Sequence, residues 1–129
     1  MEKDGEIEEF SDNFTQESEY VEFFEKVKAG AFPRTAKLNY EAHMAHFAKL
    51  GEAGVKDVLH FMISSGLANT IEITRRAAED IKKTYPRLNV YPVDPLTATM
   101  GQGMLVQLAA DCRDKGPILM LSIQKLVML

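Results

Sequence analysis

A single cysteine, Cys112, leaves the chain without a partner for an internal disulfide, which fits a reducing compartment. No charged stretch followed by an apolar run and a cleavage site opens the sequence, so no secretory leader is read. The longest apolar runs fall far short of the roughly 20 residues that a membrane-spanning helix needs. Also missing are G-x-x-x-x-G-K-[ST] and G-x-G-x-x-G, the loops that cradle nucleotide phosphates, and G-x-S-x-G, the setting of a hydrolase serine. These absences predict a soluble, cytoplasmic chain that uses no cofactor.

What is present is ordinary globular material. The 129 residues are 46% apolar and 26% charged, which sets aside wholesale disorder and predicts one domain with a sizeable core. The net charge of −4 hides an asymmetry, because residues 1–25 hold ten of the 19 acids and only one of the 15 bases. An acidic start of this kind argues against a nucleic-acid partner, and the bases that follow form no stripe. Residues 1–16 are therefore expected to be an acidic lead-in without an element, and residues 17–129 the folded domain.

Tyr20, Phe24 and Val27, with Phe23 beside them, recur at helical spacing before Gly30 and Pro33. A second helix is predicted after Asn39, a good N-cap, with Tyr40, Met44 and Phe47 on one face. Val55 to Ile63 then reads as a strand covered on both faces, and Leu67, Ile71, Thr74, Ala78, Ile81 and Tyr85 as a long helix ending near Pro86. Leu88 to Val93 is a second strand, placed at an edge by Pro92. Thr99 to about Lys115 predicts a further helix with Met100, Met104, Leu108 and Cys112 inward, stopped by Gly116-Pro117. Ile118 to Leu129 fits a helix, but Ile118 to Ile123 also fits a strand. Strand, helix, strand, helix is the order of a parallel α/β unit. Two strands make an incomplete sheet, so a third is expected from Ile118–Ile123, from another chain, or from a part of the domain that is missing.

The segment Phe61-Met-Ile-Ser-Ser-Gly-Leu-Ala-Asn-Thr70 carries the most chemistry. A strand running into two hydroxyls, a glycine and a helix start should gather free backbone N–H groups, which favours an anion such as a carboxylate. Ser64 and Ser65 serve equally well as a plain helix cap. Asp94, Thr97 and Thr99 follow the second strand, and ligands of open α/β sheets lie outside the carboxyl ends of strands. As structural residues, Asp94 makes a turn and Thr99 an N-cap. Gly101-Gln-Gly103 points to close packing, while Phe61, Met62, Leu67, Met100 and Met104 suit a core or an apolar tail. His43 and His46, with Glu41 nearby, have metal-ligand spacing, but exposed helix-face histidines account for them more simply. His60 reads as a hydrogen-bonded core histidine. A Ser65–His60–Asp94 hydrolase site can be drawn, but without G-x-S-x-G it would need special geometry to converge.

Three motifs in order, Phe32-Pro-Arg-Thr35, Ile63-Ser-Ser-Gly-Leu-Ala-Asn-Thr70 and Val93-Asp-Pro-Leu-Thr-Ala-Thr-Met-Gly-Gln-Gly-Met-Leu-Val106, resemble the DegV family of bacterial fatty-acid-binding proteins, and Asp4-Gly5 looks like its D-G element. The resemblance spans roughly residues 4–116. It implies an incomplete α/β lobe whose partner lobe and opening D-S-T strand are absent, so that the chain is truncated relative to the family. Within that family hydroxyls hold the carboxylate of a long-chain fatty acid. Thr35 matches the threonine of the T-S-Q-P-like motif, and Ser64 and Ser65 match the serines of the S-S-x-L-S-G-T turn. Ala36-Lys37-Leu38 replaces Ser-Gln-Pro and Ala68-Asn69 replaces Ser-Gly, with Lys37 able to compensate electrostatically. The implied role is non-catalytic acyl binding, with presentation of the bound acid to a fatty-acid kinase. The alternatives are a non-binding domain that forms homo-oligomers through its sheet edge and Ile118-Leu-Met-Leu121, and a small serine hydrolase.

Overall fold

The computed structural model describes residues 1–3, 5–8 and 14–116. Asp4, the alternatives for Ile118–Leu129, and the apolar segment Ile118–Leu121 therefore lie outside the described residues. The chain divides into two compact units, Met1–Ala36 and Lys37–Leu129.

The first unit contains two short strands, β1 (Glu2–Lys3) and β2 (Glu6–Ile7), which pair antiparallel. They fall within the lead-in that was expected to carry no element. Gly5, at φ +86°, supplies the left-handed backbone that the tight connection needs. Phe32 bridges Glu2 through reciprocal backbone hydrogen bonds of 3.0 and 2.8 Å. Helix α1 (Glu17–Lys28) starts where the Glu19 carboxylate accepts the backbone N–H groups of Thr15 and Gln16, both at 2.7 Å. Its predicted apolar stripe does not become a core: α1 buries no residue, and Tyr20 and Phe24 are exposed. Phe14 and Tyr20 instead meet edge to face, 5.1 Å between ring centroids.

The second unit begins with α2 (Tyr40–Glu52), whose N-cap is Asn39; the Asn39 side chain accepts the Ala42 N–H at 2.8 Å. Strand β3 (Asp57–Phe61), helix α3 (Ile71–Thr84) and strand β4 (Asn89–Val93) follow as a parallel β-α-β unit. The register runs from Asp57 opposite Asn89 to Phe61 opposite Val93. Pro92 faces His60 on a strand with one neighbour among the described residues, where its missing N–H is tolerated. Helix α4 (Thr99–Lys115) completes the unit.

The core forms where α2 and α3 meet the start of the sheet. Phe47, Ala77, Ala78, Ile81 and Leu88 are buried together, with Met44, Val58, Tyr85 and Val90 packed around them. Tyr40 ties the two helices further by donating its hydroxyl to Asp80 Oδ2 at 2.7 Å.

Three expectations change here. Strand β3 is not covered on both faces, since none of its residues is fully buried. Helix α3 begins at Ile71, four residues beyond Leu67, which is exposed. On α4, Met100, Met104 and Leu108 face outward and Ala109 is buried, with Gln102, Leu105 and Cys112 partly covered. These four covered residues recur at helical spacing, on a face rotated from the methionine stripe; both faces are apolar enough to satisfy the pattern.

Candidate functional site

The carboxyl ends of β3 and β4 continue into two loops held together by main-chain and side-chain hydrogen bonds. Met62 N–H donates to Val93 O at 3.2 Å, and Ser64 N–H to Thr97 O at 3.1 Å. Ser65 N–H donates to Asp94 Oδ1 at 3.2 Å, and the same oxygen accepts the Leu96 N–H at 3.0 Å. From α4, the Gln102 side-chain amide reaches Phe61 O at 3.4 Å. Asp94 thus makes the turn expected of it and also crosses to the serine turn.

The serines do not sit on the first turn of α3. They form a separate turn in which Ser64 O accepts the N–H groups of Leu67 and Ala68, at 2.9 and 3.1 Å. Gly66 N–H donates to Ser64 Oγ at 3.2 Å. The N–H groups of Ser64, Ser65, Gly66, Leu67 and Ala68 all have protein acceptors, so the open array of backbone donors predicted for an anion is already engaged. What remains to the site is hydroxyl chemistry. Ser64 is buried, 8% exposed. Its Oγ accepts from Gly66, and among the described residues no acceptor takes its own proton. Ser65 is exposed, and its backbone N–H is what bonds to Asp94. The nearby Ser65 side chain, followed by the backbone N–H groups of Leu96 and Ser65 and the charge of Arg75, holds the Asp94 carboxyl below the usual carboxylate range against its partial desolvation.

The β4 loop is strained. Leu96 and Thr99 have φ of +52° and +51°, and for the β-branched Thr99 this is a costly conformation. Thr99 is the first residue of α4 and not its cap; Ala98 precedes the helix in extended conformation. Gly101 lets α4 approach the Thr97 side chain, which a Cβ at that position would strike. Around the two loops Leu67, Leu96 and Met100 are 68%, 72% and 80% exposed, an open apolar surface.

The other candidates are placed elsewhere. Thr35 is exposed in the first unit, outside any helix or strand, whereas Ser64 and Ser65 belong to the second. Lys37 is exposed at the start of the second unit. His43 is not on an exposed helix face: it is 3% exposed, with Nδ1 2.8 Å from Asn39 O and Nε2 3.0 Å from Thr74 Oγ1. His46 is exposed. His60 is held by rings, with centroids 5.6, 6.2 and 5.3 Å from those of His43, His46 and Phe47, and not by the expected hydrogen bond to a core partner among the described residues. Burial, then the proximity of His43 and His46, lowers its pKa to about 4. Ser65 and Asp94 meet, but no hydrogen bond joins His60 to Ser65 among the described residues. No group of three potential metal ligands converges among those residues. A cavity of about 420 Å³ lies between Gly51, Val55, Tyr85 and Leu88, next to the amino ends of the strands and away from the serine turn. Sequence reasoning missed this cavity and paired Ser65 with Asp94 only within the hydrolase triad, whereas the structure joins them through the Ser65 backbone N–H.

The profile of the family described as "Uncharacterised protein, DegV family" matches residues 4–126. The chain belongs to the DegV family. The match runs ten residues past the 116 expected from the motifs. A DegV domain-containing protein of Clostridium perfringens is 30% identical over 108 residues, covering 84% of this chain and 37% of that protein. One from Streptococcus pyogenes is 32% identical over 116 residues, covering 88% of this chain and 38% of its own. The DegV domain-containing protein YteA of Lactococcus lactis is 30% identical over 90 residues, 70% of this chain and 31% of the relative. The chain spans little more than a third of the length of these curated relatives. No helix among the described residues is long and apolar enough to cross a membrane.

Proposed function

We propose that this DegV-family chain binds a long-chain fatty acid without transforming it, with the carboxyl group at the Ser64–Ser65 turn. The observation that carries this reading is the Ser64 hydroxyl, buried yet holding a proton that no described residue accepts, at the carboxyl end of a parallel strand pair. Such strand ends are where open α/β sheets place ligands. The exposed Leu67, Leu96 and Met100 supply apolar surface for an acyl chain beside that turn. The assignment of Thr35 rests on the family resemblance, as does presentation of the bound acid to a fatty-acid kinase in the cytoplasm. The test is thermal unfolding of the full chain with and without oleate. At 100 times its dissociation constant a ligand adds about 2.7 kcal/mol, a shift on the order of 10 °C for a chain of this size. Ser64→Ala and Ser65→Ala should each reduce the shift, and Thr35→Ala tests the third hydroxyl separately. No shift for the wild type, or equal shifts for wild type and both serine variants, refutes the assignment.

A second reading, self-association, is favoured by the outward stripe Met100, Met104 and Leu108 and by strands that each have one neighbour among the described residues. A monomer in sedimentation at high protein concentration rules it out.

A further inference from the structure

We infer that the cavity at the amino ends of the strands is a second binding site, for a small, flat aromatic carboxylate stacked on the Tyr85 ring and held by Lys56 and Arg87. It is independent of the fatty-acid reading, which concerns the opposite end of the sheet.

The cavity forms where two corners of the chain face each other, one leading from α2 into β3 and the other from α3 into β4. Asn89 N–H joins them by donating to Lys56 O at 2.7 Å. Each corner is also fixed by its own backbone. The N–H groups of Ala53, Gly54 and Val55 return to the carbonyls of Lys49, Gly51 and Leu50 at 3.1, 3.0 and 3.0 Å, and those of Tyr85 and Leu88 to Ile81 and Tyr85 at 2.8 and 3.0 Å. The walls therefore stand before any ligand arrives. Their backbone donors are already engaged, so recognition falls to side chains.

Those side chains are of two kinds. Leu88 is buried and Val55 half-buried, and the Tyr85 ring lies so close to Gly51 that a Cβ there would come 2.5–2.9 Å from it. The Tyr85 hydroxyl donates to Glu52 at 3.3 Å, which holds the ring further. A volume of about 420 Å³ is within the range of small-molecule sites, and an aromatic wall favours a flat ring in offset stacking. Lys56 and Arg87, one from each corner, also line the cavity. Both are exposed, and among the described residues neither is paired with a carboxylate. The neighbouring carboxylates are engaged elsewhere, Glu52 by Tyr85, and Asp57 by the Asn89 amide at 3.0 Å and the Tyr91 hydroxyl at 3.4 Å. The carbonyl ends of α2 and α3 oppose an anion here, and Lys49 and Lys82 in their last turns offset them. Two unpaired cations beside an apolar, aromatic wall match one anionic group on a flat apolar body. A carboxylate suits the Arg87 fork, which can take both of its oxygens.

Titration of the isotope-labelled full chain with 2-naphthoate, followed through amide chemical shifts, tests this, with 2-naphthamide as the neutral isostere. Naphthoate should saturate with a Kd below about 1 mM. It should shift the amides of residues 54–56 and 87–88 and leave those of residues 64–68 in place. Naphthamide should bind about tenfold more weakly. Lys56→Ala and Arg87→Ala should each weaken naphthoate by about two- to fivefold at low salt, the scale of one exposed ion pair, and leave naphthamide unchanged. Equal binding of acid and amide, or alanine variants that bind naphthoate as the wild type does, overturns the inference. So does the lack of a saturable shift, a response confined to the serine turn, or displacement of naphthoate by oleate. None of the first three results touches the fatty-acid reading. If an alanine variant does not fold, the acid and amide titrations of the wild type still decide.

Discussion

Mild acid should destabilise the second unit, and the cause should be His60. Its ring packs 5.3 Å from Phe47 and 5.6 and 6.2 Å from His43 and His46. An imidazolium there would lose hydration and face two other imidazoles, so the folded state holds the ring neutral until about pH 4, against an ordinary value of 6.5. Below pH 6.5 the unfolded chain binds a proton that the folded chain refuses, so the stability conferred by the neutral ring is complete above 6.5 and is lost as pH falls towards 4. A gap of about 2.5 units has an upper limit of roughly 3.4 kcal/mol, and because the ring is only partly covered, solvent screening reduces this to on the order of 1–2 kcal/mol. Urea unfolding at pH 7.5, 6.5, 5.5 and 4.5 reads it directly, as a falling midpoint at constant slope. His60→Phe keeps the ring contacts without the titration and should remove most of the fall. Asp80, Asp94 and Glu19, whose carboxyls are held low by their hydrogen bonds, contribute at the acid end, below their ordinary values of 3.8 and 4.5. A midpoint that stays constant from pH 7.5 to 4.5, or a His60→Phe variant with an undiminished fall, refutes the reasoning.

Three further perturbations probe the frame around the site. Thr74 is fully buried, and its Oγ1 lies 3.0 Å from both His43 Nε2 and Thr70 O. Thr74→Val should cost about 1–3 kcal/mol by stranding a buried polar nitrogen, and Thr74→Ser less; equal losses in denaturant unfolding would contradict this. Asn39→Ala removes the cap of α2 and should cost about 1 kcal/mol, with Asn39→Asp close to wild type; a silent alanine would mean that the cap is replaced by solvent. In Gly51→Ala the new Cβ would come 2.5–2.9 Å from the Tyr85 ring. That crowding should lower stability by about 1–3 kcal/mol and loosen the Tyr85–Glu52 hydrogen bond of 3.3 Å. Unchanged thermal unfolding would show that the tyrosine swings aside freely.

Much of the candidate site is written in local chemistry. Two serines and a glycine after an apolar run, and an aspartate before a proline after the next, mark two turns at strand ends. The structure places both turns at the carboxyl ends of paired parallel strands. Less legible was how the turns treat each other. Only parallel pairing in the observed register brings Asp94 to Ser65, residues 29 apart in the chain, and this contact engages a backbone N–H that the turn read alone would leave free. Thr35 shows the opposite limit, because its motif is recognisable in the sequence but belongs to a different unit from the serines.

By itself the sequence determined what depends on neighbours within a few residues. The start of α2 at Asn39, the breaks at glycine and proline, the helical period of α3 and the family motifs are all of this kind. Tertiary structure decided what depends on which face finds a partner. The α4 pattern allows two apolar faces, and packing buried Ala109 while leaving Met100 and Met104 outside. His43, readable as a surface histidine, turned inward because Thr74 of α3 and the Asn39 carbonyl satisfy its two ring nitrogens. Periodicity records that a face is apolar, but only the competition among faces for a limited core determines which of them is buried.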